Sequence, residues 1–348
     1  MNHAHTLEHA PTAAAAGDHV KTLSHASTPA SRDHPHHPPL GPLSLELKAV
    51  TLTLVLLPLL GIAAVVALSW SVLFQWLYVA LLIGLYLATG LGITVGFHRL
   101  FTHRSFTAGP VVTFVLAALG SMAVQGPIIE WVAVHRRHHQ HSDGHQDPHS
   151  PATHGDGLSG LLKGFWHAHM GWFIRPSWVG PDSTTGGGTA GGIARYVPDL
   201  YKDRVIEHVN RWYPLWVVVG MVIPAAIGLA VTQTWMGGLL GFLWGGLIRV
   251  FMVHHITWSI NSVCHIWGSR PFKSDDESRN NTIFGWLAFG EGWHNNHHAF
   301  PTSARHGLFW WQFDATYVLI WLMAMVGLAK DVKVPSAERI EAKRQREA

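Results

Sequence analysis

Residues 212–248 read WYPLWVVVGMVIPAAIGLAVTQTWMGGLLGFLWGGLI, a long stretch without one charged side chain. About 20 apolar residues cross a hydrocarbon core of about 30 Å, so this stretch is long enough for two crossings. Its polar break lies near Thr234, which predicts two helices, over 212–233 and 236–258, joined by a tight turn. Two further charge-free blocks, 49–97 and 105–129, repeat the signal. The first divides near Trp70 into expected helices over 49–69 and 72–97.

Composition agrees with that reading. Charged residues make up 13% of the 348, about half the share of a soluble protein, while hydrophobic residues reach 48%. So few charges cannot cover a water-facing surface, which excludes an ordinary cytosolic enzyme. The net charge of +3 is too small to argue for nucleic acid. One cysteine, Cys264, excludes an intramolecular disulfide framework, Cys-rich zinc sites and iron–sulfur clusters. The short turns near Trp70 and Thr234 carry no basic residue, whereas 98–211 and 257–348 each carry ten. Under the positive-inside rule those longer segments, and both termini, face the cytoplasm. The expected fold is an all-α integral membrane protein: four transmembrane helices under a cytoplasmic, histidine-rich helical cap.

Residues 1–43 are a His-, Ala- and Pro-rich tail that cannot build a core, and disorder is expected there. No apolar h-region lies within the first 40 residues, so a cleaved signal peptide is not expected. The main domain should run over 44–330, followed by a charged C-terminal tail at 331–348 with a short amphipathic helix over 336–347. Residues 180–195 are a Gly/Thr-rich loop. Segment 105–129 is long enough to cross, but a crossing would separate histidines on either side of it. Gly120, Gln125, Gly126 and Pro127 also make it a poor lipid-facing helix. It is therefore expected to lie in the interface or to dip in and return.

The 27 histidines outnumber either the basic or the acidic residues. Outside the tail they gather in HRLFTH (His98, His103), HRRHH (His135, His138, His139) and HNNHH (His294, His297, His298). Spacings i, i+3, i+4 place three imidazoles on one helical face. The i, i+5 pair does not fit an α-helical face and calls for a helix end or a bend. Imidazole binds several transition metals, and eight rings exceed one four-coordinate site, so two metals are the economical reading. Further histidines in the loops, among them His149, are expected to be turn residues, while His254 and His255 should be satisfied by hydrogen bonds.

HRLFTHRSF, HRRHH and GEGWHNNHHAFP together closely resemble the membrane-bound fatty-acid desaturases of the Δ9 type, over about residues 75–315. The resemblance implies a di-iron site under a four-helix stalk, with O2 as co-substrate. It implies a ninth ligand, His265 in NSVCH, and a metal-bound water held by Asn261. Thr257, Asn261 and His265, spaced by four, form one polar stripe on an apolar helix. By resemblance one iron takes His98, His103, His135 and His139 with the Asn261 water, and the other takes His138, His265, His294, His297 and His298. Gln125, Trp131 and Thr257 match residues at the bend of an acyl tunnel, and Arg175 matches a position near the acyl carrier.

The expected reaction is O2-dependent insertion of a cis double bond, at Δ9, into a saturated fatty-acyl chain. Two electrons are needed. The chain carries no haem or flavin motif, so a separate donor is implied: a ferredoxin, a rubredoxin or a cytochrome-b-type protein. Arg136, Arg137, Lys202 and Arg204 are candidates to steer it. Ala133-Val134 stands where acyl-CoA desaturases have Arg-Asp, which leaves acyl-CoA and lipid-bound chains both open. The alternatives are a di-iron membrane hydroxylase of alkanes, sterols or carotenoids, or a non-enzymatic metal- or haem-binding membrane protein.

Overall fold

The computed structural model describes residues 53, 57, 59–65, 67, 75–174 and 193–345. The tail 1–43, much of the 49–69 block, Arg175 and most of the 180–195 loop lie outside the described residues. Among those described, three helices are long and apolar enough to cross a membrane: α1 (Trp76–Thr102), α6 (Tyr213–Thr232) and α7 (Trp235–His265). Between α1 and α6 come β1 (Thr107–Ala108), α2 (Pro110–Ser121), α3 (Ile128–His141), α4 (Gly157–Trp166) and α5 (Arg204–Arg211). After α7 follow α8 (Thr282–Leu287), α9 (His294–Ala299), α10 (Ala315–Met325), β2 (Ala329–Lys330) and α11 (Ala337–Lys343).

The turn between α6 and α7 is built from local chemistry. Gln233 closes α6 at φ 54, and the Thr234 hydroxyl caps α7 by accepting from the Gly237 N–H at 3.0 Å. The two helices then pack on small residues. A Cβ at Gly241 would strike the Pro224 carbonyl, and one at Gly237 would strike the Thr232 side chain. Close backbone approach of this kind substitutes for the hydrophobic drive that is weak between helices in lipid. The described residues 59–65 are helical, and Val65 packs with Tyr78, Leu240, Leu243 and Leu247. Tyr78 therefore belongs to helix packing.

Two departures from regular α geometry place functional side chains. From Gly92 to Thr102, α1 widens into π turns, seen in the His103 N–H to His98 carbonyl bond at 3.1 Å. In i→i+5 geometry, residues five apart stand about one turn apart. The His98 and His103 ring centroids are accordingly 4.8 Å apart. The bend that the i, i+5 spacing calls for is this widened turn. Helix α7 runs past the expected residue 258 to His265, so one helix carries Thr257, Asn261 and His265.

Helix α2, at 12 residues, is about 18 Å long and too short to cross. It returns through a turn at Met122–Pro127 into α3. The core beside it gathers Val95, Phe97, Ala117, Ile128, Val132, Leu200 and Ile320. Residues after 331 are fastened to this body. The Lys333 N–H donates to the Ser105 carbonyl at 2.8 Å, and Lys343 Nζ donates to the Ala299 carbonyl, which ends α9, at 2.7 Å.

Candidate metal centre

Nine histidines from α1 and the residue that caps it, and from α3, α7 and α9, meet in two sets. His98, His103, His135, His139 and His297 form one; His138, His265, His294 and His298 form the other. Within each set the potential ligand nitrogens lie within 4.8 Å of one another. In the first, His297 Nε2 is 3.2 Å from His98 Nε2 and 2.9 Å from His139 Nε2, which is 3.1 Å from His135 Nε2. In the second, His294 Nε2 is 3.0 Å from His265 Nε2 and 3.1 Å from His298 Nε2. This corrects one assignment implied by the family resemblance. His297 faces the α1 and α3 rings and does not share a set with its neighbour His298.

Carboxylates stand behind the rings. His138 Nδ1 is 2.9 Å from Asp147, His265 Nδ1 is 3.0 Å from Asp143, and His298 Nδ1 is 2.5 Å from Asp276. In the first set His98 Nδ1 is 2.6 Å from Glu291. The other Glu291 oxygen accepts from Arg99 at 3.2 Å. Arg99, fully buried, also pairs with Asp314 at 3.0 Å. Carboxylates so placed fix ring orientation and tautomer.

The rings fit a bound cation. With Nδ1–H given to Asp143 and Asp276, the Nε2 atoms of His265 and His298 are both acceptors, and His294 Nε2 can donate to only one of them. Protons alone therefore leave the set unsatisfied. His103 Nε2 and His138 Nε2 are buried without a hydrogen-bond partner. Nitrogens roughly 3 Å apart are also what adjacent ligands at about 2.1 Å from one ion require. Burial, and then the charge neighbouring rings would carry, holds His103, His135, His139, His294 and His297 well below the ordinary imidazole value. They are neutral, and free to bind metal, at neutral pH. Burial alone would raise Asp143, but the His265 ring holds it at about 2.

Two buried rings were not expected here. His149, read from its turn context as a loop residue, is 2% exposed and its ring centroid is 4.3 Å from that of His138. His306, 1% exposed, lies 4.4 Å from the His297 ring, with Nδ1 3.3 Å from Glu291. Neither carries a ligand pattern in the sequence, yet each stands in a further group, His138–Asp147–His149 and His98–Glu291–His306, whose potential ligand atoms lie within 4.8 Å of one another. Only the DPH turn in one case, and proximity to HNNHH in the other, could have drawn attention to them. His254 bonds to the Val124 carbonyl at 2.8 Å and His255 to His169 at 3.0 Å, as hydrogen-bonded residues should. Arg136 differs from its expected surface role. It donates to Asp199, Phe101 and Tyr196, tying α3 to its neighbours.

A cavity of about 510 Å³ runs past the two sets. Its lining includes His98, His135 and His294, together with Asn261, Tyr86, Gly90 and Phe289. The Tyr86 hydroxyl donates to the Leu287 carbonyl at 2.5 Å, and its ring lies 5.3 Å from Phe289. Gln125, Trp131 and Thr257 are joined there: Gln125 Nε2 donates to Thr257 Oγ1 at 2.8 Å and Trp131 Nε1 to Gln125 Oε1 at 3.1 Å. Trp131 stacks on His135 with centroids 5.2 Å apart. A mostly apolar wall with a few placed polar groups suits a long hydrocarbon held in a fixed pose.

Residues 74–326 match the family model for fatty acid desaturase. The chain belongs to the fatty acid desaturase family. It is 43% identical over 290 residues to a hex-5-enoyl-[acyl-carrier protein] acetylenase of Moorena producens, covering 83% of this chain and 87% of that protein. It is 40% identical to an sn-1 stearoyl-lipid 9-desaturase of Anabaena variabilis, covering 75% and 86%. To Delta-9 acyl-lipid desaturase 1 of Arabidopsis thaliana it is 38% identical, covering 79% and 80%. This desaturase is thus an oxidoreductase of lipid metabolism whose substrate class is fatty-acyl chains.

Proposed function

We propose that this desaturase is a di-iron enzyme that uses O2 to place a cis double bond at Δ9 of a saturated, lipid-bound acyl chain. The observation that carries the reading is the polar chain Trp131–Gln125–Thr257 in the wall of the same cavity that His98, His135 and His294 enter. The two histidine sets hold one iron each. The first offers five rings and the second four, so the water held by Asn261, which the family resemblance gives to the first ion, is reassigned to the second, one helical turn before His265. Bound iron supplies the O2 chemistry by which –CH2–CH2–, O2, two electrons and two protons become –CH=CH– and two waters.

The protein's own part is positional. Gln125, Trp131 and Thr257 bend the chain so that one pair of methylenes faces the rings, and the apolar wall excludes water. Tyr86 and Phe289 close the methyl end. A lipid carrier is favoured by the two acyl-lipid relatives and by Val134 in the cavity lining, where an acyl-CoA enzyme has an acid. Electrons come from a separate ferredoxin, rubredoxin or cytochrome-b-type donor. In this reading α2 stays in the interface and the site faces the cytoplasm. Expression in a host lacking unsaturated fatty acids, with methyl esters analysed by mass spectrometry, tests it. A new double bond at C9 of membrane lipids is expected, and a hydroxylated product or none would refute it.

A further inference from the structure

The turn that joins α2 to α3 is held more firmly than a connection of its length needs. Val124 adopts φ 63 and Gly126 φ 100. A β-branched residue enters the left-handed region only where its surroundings compel it. Three side chains from other helices supply that compulsion. Arg249 Nη1 donates to the Met122 carbonyl, His254 Nε2 donates to the Val124 carbonyl at 2.8 Å, and the Tyr213 hydroxyl accepts from the Gly126 N–H at 3.1 Å. Gln125 lies between these anchored positions.

Arg249 is fully buried inside α7, and the partners of its guanidinium are backbone carbonyls. Besides Met122 it reaches Gly245 on its own helix at 3.1 Å and Gly220 on α6 at 3.1 Å. The Gly245 carbonyl lies in a stretch of π turns, Phe242–Ile248. A cation buried at this depth is costly and would ordinarily be replaced by an apolar side chain. What an apolar residue could not do is fasten the turn to α6 and α7 at once.

We propose that Arg249 and His254 are positioning residues that set where along the acyl chain the double bond is placed. Successive methylenes are chemically alike. One pair is selected only by the distance between the ring sets and the point where the wall bends the chain. That point is Gln125, bonded to Thr257 and Trp131, and its height along the cavity is the height of the clamped turn. His254 also borders the cavity, so the clamp and the wall are continuous there. This inference rests on the desaturase reading above.

The test is product analysis of the full-length protein in a host lacking unsaturated fatty acids, with double bonds located by mass spectrometry of derivatised methyl esters and iron counted in the purified protein. His254→Phe and Arg249→Met should each raise the proportion of neighbouring-position isomers by about tenfold, the effect of losing one buried hydrogen bond. Iron per chain should stay at the wild-type value. His254→Gln keeps a donor and should keep the wild-type isomer ratio. Tyr213→Phe deletes one oxygen and should give a smaller rise, and it carries the test where a larger change prevents accumulation. An unchanged isomer ratio in every variant that accumulates overturns the proposal. A wild-type protein that makes no double bond would instead overturn the desaturase reading.

Discussion

The two histidine sets share a cavity but are built differently. In the second set, three of the four rings have a carboxylate behind them: Asp147, Asp143 and Asp276. In the first set, the carboxylate is Glu291 behind His98, and its charge is shared with Arg99 and His306. More anionic support raises ligand basicity and offsets a cation's charge. The second set should therefore hold its metal more tightly, and the first should be where metal is lost and exchanged most readily.

The sharpest way to break this comparison is to remove rings in pairs. His103→Ala with His297→Ala falls within the first set, so about one of two irons should remain per chain, with desaturation abolished. If His297 instead served the other iron, the same pair would strip both, and elemental analysis of purified protein distinguishes the outcomes. His265→Ala with His298→Ala should likewise leave one iron, the more weakly held one.

A smaller effect is expected from the supporting carboxylates. Asp276→Asn should weaken metal binding by about 10–100-fold, visible in competition with a chelator. Glu291→Gln should weaken the first set comparably and also lower stability, because it removes one of two carboxylates beside the buried Arg99. Equal chelator resistance of the two irons in wild-type protein would remove the basis for the asymmetry.

The smallest effect concerns pH in the metal-free protein. Burial lowers His298 from 6.5 to about 4, even with Asp276 opposing it, and burial lowers His306 likewise to about 4. A ring whose folded value lies below its unfolded value gives stability that is present above pH 6.5 and is lost as pH falls towards 4. Each such ring costs about 1 kcal/mol per pH unit in that window. The melting temperature of metal-free protein should fall steadily from pH 6.5 to 4, and bound metal should delay the fall. A flat profile would mean that these rings are not buried neutral.

Much of the centre was legible in the chain because its signals are local. HRRHH and HNNHH declare themselves by i, i+3, i+4 spacing, and the long charge-free blocks by length. The loop histidines show the opposite case. His149 and His306 carry no periodic spacing, and they became buried neighbours of the centre through contacts made by the DPH turn and the segment after α9. Arg136 misled for a related reason: a basic residue on a polar helix face looks free until Asp199 arrives from another segment.

The sequence by itself determined which side chains could bind metal, that several helices are apolar enough for a membrane, and which family the chain resembles. Those properties belong to residue types and short spacings. The tertiary structure decided which rings stand together, since His297 and His298 are adjacent in the chain yet point to different sets. It also decided that the five-residue spacing of His98 and His103 works, by widening α1 into π turns. And it brought Arg249 and His254 onto a turn more than a hundred residues away. Such outcomes depend on the direction in which each helix face meets its neighbours, and no local pattern encodes that direction.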